Sequence, residues 1–301
     1  MKRILSVIFS VIIFAGCLSS APVYAKTYTA VIEKDGVMQM GDFDSLSDGF
    51  IVYFPKEVKS TDRKYPVAVW ANGTMCPPAL YYSVLTGIAK NGYIVIASPD
   101  MMSKSGKGQI AAIDYIAEQN EDKNSVFYNK VDLHRIGAIG QSQGGASCVN
   151  AAAADDRIGA IVSIAGASTK EEASLLNVPA LFLTGSLDFI VLSSEWVKPS
   201  FDACPSPAVY ASLNNGTHTS FLLNADTYVN YSVKWFNAWL YDDGDKSAFM
   251  NGGELSKDRM WSDFKAKNFD SGSSEDDISF LERLLSDTSR FIRCILSFIL
   301  R

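Results

Sequence analysis

The chain has 301 residues, 48% of them hydrophobic and 20% charged, with a formal net charge of −6. These are ordinary globular values, and the length suits one large α/β domain with a sizeable core. An acidic chain of this kind has no electrostatic footprint for nucleic acid, which excludes that class of partner.

Residues 1–25 read as an export signal. Lys2 and Arg3 precede an apolar run from Ile4 to Gly16, and the small residues Val23 and Ala25 then predict cleavage after Ala25. The run is shorter than the ~20 residues a membrane-spanning helix needs. A second processing route is open at "FAGC", 14–17, a lipobox-like stretch in which Cys17 would become the lipidated first residue of an anchored protein. Both routes place the mature chain outside the cytoplasm, secreted or periplasmic in the first case and membrane-anchored in the second.

Beyond the signal, "TYTAVIE" and "GVMQM" read as an antiparallel strand or hairpin at a sheet edge. From about residue 50 short apolar runs alternate with helical patterns, which predicts a parallel sheet flanked by helices. Strands are expected at 49–54, 67–71, 93–98, 135–140, 159–165, 180–185 and 208–213. Several are apolar at almost every position, as strands buried on both faces should be. Helices are expected near 78–90, 108–120, 143–153, 193–203 and 226–241. The fold class is therefore α/β, with a mostly parallel central sheet of about eight strands in a domain over 26–269.

A Gly/Ser/acidic break at 270–277 opens a linker and an amphipathic C-terminal helix over 270–301. Its stripe, with Arg283, Arg290, Arg293 and Arg301 alongside, predicts packing on the domain or on a second copy, with membrane-surface contact as the alternative. Cys76, Cys148, Cys204 and Cys294 remain after signal removal. Export permits disulfides among them, but spacing does not rank the pairings. Cys148, inside a small-residue helical run, is expected to be a buried thiol. With no C-x-x-C and two histidines in the chain, no metal site and no cofactor are expected. "SKSGKGQ" lacks a phosphate-loop pattern, and Asp242, Asp243 and Asp245 lack the further ligands of a calcium loop.

The chemistry concentrates at "RIGAIGQSQGGASC", 135–148, where Gly140, Gln141, Ser142, Gln143 and Gly144 form G-x-S-x-G between a buried strand and a small-residue helix. That context suits a sharp turn that lifts a serine hydroxyl above the sheet. A serine is a poor nucleophile without a base to take its proton and a carboxylate to hold the base's tautomer. His134 stands at the far end of the same strand, about 20 Å or more away at roughly 3.3 Å per residue, and is ruled out. His218, in the loop after the last strand, is the remaining base. Asp188, three residues past the strand over 180–185, is the acid, in preference to Asp100, which precedes the serine.

With these residues in the order Ser, Asp, His, the chain resembles an α/β-hydrolase. More narrowly it resembles the secreted bacterial group of dienelactone-hydrolase-like, chlorophyllase-like and cutinase-like polyester esterases. "WANGT", "IAKNGYIVIA", "DLHRIGAIGQSQGG", "LTGSLD" and "NNGTHTSF" carry the likeness, over about 35–245. The resemblance implies an oxyanion hole made by the N–H of Gln143 and a second N–H from the loop holding Asn72, Gly73 and Thr74, with Thr74 the donor. It also shows two departures. Thr74 falls where the polyester esterases commonly carry an aromatic residue, and "SIAGASTK" replaces the stretch that carries their tryptophan, so aromatic polyesters are expected to be poor substrates. Gly73, Met75, Tyr81 and Tyr82 are candidates for the substrate wall, with core packing the commoner role of tyrosines at helical spacing beside a strand.

The expected function is a secreted serine hydrolase of carboxylic esters, using Ser142, Asp188 and His218 on a small-molecule or lipid-like ester. Two alternatives are a catalytically idle hydrolase-fold lipoprotein or binding protein, and an acyltransferase or amidase using the same triad.

Overall fold

The structure is a computed structural model that describes residues 29–42 and 49–269. Residues 1–28, which include Cys17 and the segment expected to be an export signal, and residues 270–301 with Cys294 lie outside the described residues.

Ten strands form one sheet: β1 (Thr29–Lys34), β2 (Val37–Asp42), β3 (Ile51–Pro55), β4 (Tyr65–Ala71), β5 (Ile94–Ala97), β6 (Val131–Gln141), β7 (Ile158–Ile164), β8 (Ala180–Gly185), β9 (Ala208–Leu213) and β10 (Trp261–Lys267). Their spatial order is β1-β2-β3-β5-β4-β6-β7-β8-β9-β10. The six strands from β5 to β9 in that order are parallel, while β1, β2, β3 and β10 pair antiparallel at the two margins. Helices α1 (Tyr82–Lys90), α2 (Lys107–Glu121), α3 (Gln143–Ala154), α4 (Lys170–Ala173), α5 (Val197–Ala203), α6 (Ala225–Trp239) and α7 (Glu254–Lys257) connect them.

The period of two along each strand divides the core between the two faces. On β4, Ala68 and Trp70 join Leu85, Ile88 and Phe236 from α1 and α6. Val67 and Val69 join Ile113, Ile116 and Val149 from α2 and α3 on the opposite face. All seven residues of β4 are buried, which is why its sequence is apolar throughout. Gln109 is the polar exception: fully buried, its amide donates to Val69 O at 2.8 Å and accepts from Ser147 Oγ at 2.8 Å, tying α2 to β4 and α3. Cys148 beside it is a buried thiol whose pKa burial pushes up to about 12. A thiol in that state is chemically inert.

Two expectations need correction. The sheet has ten strands rather than about eight: besides the paired β1 and β2, "WSDFKAK" forms β10. This is an edge strand whose charged residues face solvent, so it lacks the apolar run that marks a buried strand. The helix expected over 193–203 begins only at Val197. Pro199 is the reason, because proline fits the first turn of a helix and not its interior.

The winding reverses between β4 and β6. From β4 the chain passes outward to β5, then returns to β6 on the other side and proceeds to β9. Loops at the carboxyl ends of strands flanking such a reversal face a common crevice, where ligands of open α/β sheets bind. Among the described residues no helix is long and apolar enough to cross a membrane.

Candidate functional site

β6 ends at Gln141 and α3 begins at Gln143, leaving Ser142 alone to make the turn. Its backbone sits at φ 58°, ψ −120°, outside the regions an L-residue favours. Such a conformation costs about 1–3 kcal/mol and persists only where the surroundings over-determine it. Here they do. The Ser142 N–H donates to Ile164 O at 2.8 Å, and its carbonyl accepts from Gly145 N at 2.9 Å and from Ala167 N at 3.3 Å. The motif glycines allow the approach: a Cβ on Gly144 would lie 2.0 Å from Ala71 O, and one on Gly140 2.4 Å from Gly144 O.

Asp188 lies past the end of β8 with its side chain fully buried. One carboxylate oxygen accepts from the N–H groups of Ile190 and Val191, both at 2.9 Å. The other accepts from His218 Nδ1 at 2.8 Å. A carboxylate can only accept, so Nδ1 carries the proton and Nε2 presents its lone pair. Asp100 is elsewhere, closing a turn by accepting Met102 N–H at 2.7 Å. His134 stands exposed near the start of β6, at the opposite end from Ser142.

Gln143 is the first residue of α3, where a backbone N–H has no acceptor within its own helix. The Thr74 N–H, on the exposed loop after β4, has no acceptor among the described hydrogen bonds. Gly73 differs. Its N–H is taken by the Tyr81 hydroxyl at 2.9 Å, and the same hydroxyl donates to Gln141 Oε1 at 3.1 Å.

Of the two readings open for these tyrosines, substrate wall or core, Tyr81 takes the core one, and Tyr82 is half-buried against the core. Tyr81 is 1% exposed, tilted against Trp70 and stacked on Phe221 with ring centroids 5.0 Å apart. Tyr82 opens α1 and packs edge-on against Tyr53 of β3. The turn over Pro78–Tyr81 leads directly into α1, which lies on the sheet and carries both rings with it. Met75 is exposed and lines a cleft of about 570 Å³ with Met101, Met102, Pro99 and Phe50.

Two features escaped the sequence reading. Phe189 and Ile190 beside Asp188, and Leu223 after His218, are 76%, 59% and 91% exposed, so apolar side chains flank the Asp–His pair in the open. Gln141, 3% exposed, also touches His218: its Nε2 donates to the histidine carbonyl at 3.0 Å and lies 3.2 Å from His218 Nε2. Exposed apolar residues after the acid and base were readable as a signal. The Gln141 contacts were not, because they join residues 77 positions apart.

A reversed parallel sheet with a strained serine turn after β6, an acid after β8 and a histidine after β9 defines an α/β-hydrolase. A family model described as PET hydrolase-like (PETase) matches residues 48–268, and the chain belongs to that family. It is similar to cutinase est1 of Thermobifida alba, at 26% identity over 68% of this chain and 70% of that protein. It is also similar to the bis(hydroxyethyl) terephthalate hydrolase of Streptomyces coelicolor, at 22% identity over 67% of this chain and 65% of that protein. The chain is, by class, a carboxylic ester hydrolase.

Proposed function

We propose that the chain is an exported serine esterase whose nucleophile, base and acid are Ser142, His218 and Asp188, acting on esters with apolar acyl chains. The observation that carries this reading is the 2.8 Å His218–Asp188 pair, in loops beyond β8 and β9 at the same sheet end as the strained Ser142 turn. Ser142 Oγ attacks the ester carbonyl as His218 Nε2 takes its proton. The N–H groups of Gln143 and Thr74 receive the charge that develops on the carbonyl oxygen. Collapse of the tetrahedral intermediate expels the alcohol, protonated by His218, and leaves an acyl-serine. Water, deprotonated by His218, then releases the acid and restores the serine. Among the described hydrogen bonds none joins Ser142 Oγ to His218, and Nε2 faces Gln141 Nε2 at 3.2 Å. Catalytic contacts in a substrate-free enzyme are commonly looser than with substrate bound, and proton transfer requires Nε2 to exchange the Gln141 contact for one with Ser142 Oγ.

Phe189 and Ile190 next to Asp188, Met75 next to Thr74 and Leu223 in the turn after His218 are exposed apolar side chains, which suits an aliphatic acyl chain or a lipid-like ester. The small or polar residues at Thr74 and over 165–168 remove two aromatic contacts that would hold a flat ring, so aliphatic esters are preferred to aromatic polyesters. Export through residues 1–25 puts the enzyme outside the cytoplasm. Lipidation at Cys17 or the amphipathic segment over 270–301 would then hold it at a membrane surface.

The test is a panel of p-nitrophenyl esters from acetate to palmitate beside bis(hydroxyethyl) terephthalate, with a serine-directed phosphonate probe. Turnover of the aliphatic esters, weak turnover of the terephthalate and phosphonate mass on the Ser142 peptide are the expected results. A folded protein that neither turns over nor takes the probe would identify an idle hydrolase body.

Gly73 gives a second prediction. A Cβ there would meet Gln141 Oε1 at 2.7 Å, the Tyr81 hydroxyl at 2.9 Å and Ser142 Cβ at 3.4 Å. Gly73→Ala should lower kcat by about tenfold or more through misplacement of reacting groups. Overpacking should also cost about 1–3 kcal/mol of stability. Turnover and urea unfolding read the two effects separately.

A further inference from the structure

We infer that Gln141 is a positioning residue that joins the loop of the Thr74 oxyanion donor to the base through one hydrogen-bonded chain. The inference rests on the triad reading above. The chain runs from Gly73 N–H to the Tyr81 hydroxyl at 2.9 Å, from that hydroxyl to Gln141 Oε1 at 3.1 Å, and from Gln141 Nε2 to the His218 carbonyl at 3.0 Å. Every link is buried or nearly so, which makes each worth more than its counterpart in water and costly to leave half-made. Tyr81 adds a second connection, because its ring stacks on Phe221, three residues after His218.

The same amide nitrogen lies 3.2 Å from His218 Nε2. An amide NH2 only donates, so it is compatible with Nε2 solely when that nitrogen holds a lone pair. Asp188 fixes the proton on Nδ1, and the Gln141 contact is compatible with that tautomer, its N–H yielding the single Nε2 lone pair to Ser142 when the serine proton is transferred. That tautomer is the one a general base needs. The other ionisable group beside the pair is Tyr228, next to Asp188, whose phenol is kept protonated chiefly by burial. The Tyr81 phenol is likewise kept protonated, chiefly by burial, so it remains a donor to Gln141.

Gln141→Glu separates this role from simple packing, because it keeps the shape and replaces the donor with a carboxylate beside Nε2. A nearby negative charge favours the protonated imidazole, so the acidic limb of the kcat/KM profile should move to higher pH by about one unit or more. Gln141→Met, which removes both polar atoms, should lower kcat by about tenfold while KM stays within about twofold, as expected for a change in orientation rather than binding. Combining Gln141→Met with Tyr81→Phe should cost less than the product of the single losses if the two side chains act as one chain.

Each variant is measured as the full mature chain, with its melting temperature determined alongside. A folded Gln141→Glu enzyme whose pH profile overlays the wild type, or a uniform loss at every pH, would overturn the inference. So would multiplicative effects in the double variant. None of these outcomes touches the triad reading, which stands or falls on wild-type turnover and phosphonate labelling of Ser142.

Discussion

Ser142→Ala is expected to lower kcat on a short-chain p-nitrophenyl ester by roughly 10⁴-fold or more, as loss of a serine nucleophile does in enzymes of this mechanism. KM should change little, because the hydroxyl forms its bond in the transition state and contributes little to ground-state binding. The variant should also fold. The turn is held by backbone groups, with Ser142 N–H on Ile164 O at 2.8 Å and Gly145 N–H on the Ser142 carbonyl at 2.9 Å. Alanine meets the same φ of 58° as serine does, so the strain is unchanged. Residual turnover would come from the N–H groups of Gln143 and Thr74 acting on a water nucleophile. A folded Ser142→Ala enzyme that kept a tenth of wild-type kcat, a loss of only about 1.4 kcal/mol in barrier, would move the nucleophile elsewhere.

Asp188→Asn is the second large effect, a loss of about 10⁴-fold in kcat at neutral pH. The side-chain amide of this variant would keep its carbonyl oxygen on the N–H groups of Ile190 and Val191, where Asp188 now accepts two bonds at 2.9 Å. Its NH2 would then face His218 Nδ1. Two donors cannot share that contact, so the imidazole proton moves to Nε2 and the nitrogen that should accept the serine proton is already protonated. Because the side chain keeps its shape and its backbone partners, the melting temperature should fall far less than in Asp188→Ala, which leaves the buried Val191 N–H and the part-buried Ile190 N–H without that acceptor. Comparing kcat and melting temperature across the pair distinguishes a lost tautomer from a damaged loop. Equal kcat in wild type and Asp188→Asn would remove Asp188 from the mechanism.

Much of the fold was legible because the parallel strands are buried on both faces. β7, β8 and β9 show as mostly apolar runs, each interrupted by one small hydroxyl residue (Ser163, Thr184 and Ser212), and β8 and β9 start and end at the residues expected from sequence. β10 was illegible for the opposite reason: an edge strand with one solvated face carries Asp263, Lys265 and Lys267 and reads as a loop. The start of α5 was misjudged because helical periodicity extends through 193–196, whereas the position of Pro199 decides where the first turn can form.

Residue type, order and local spacing by themselves determined the serine turn and the candidates Asp188 and His218. A G-x-S-x-G turn is made by five consecutive residues, and a chain with two histidines leaves few choices for a base. Only the tertiary structure decided what surrounds them. Whether Tyr81 lined a pocket or filled the core depended on how α1 lies on the sheet. That Gln141 bridges the Tyr81 hydroxyl and the His218 carbonyl depended on three loops meeting where the winding reverses. Side-chain hydrogen bonds between residues 60 and 77 positions apart leave no periodicity or composition in the chain, and they exist only once the sheet has brought those loops together.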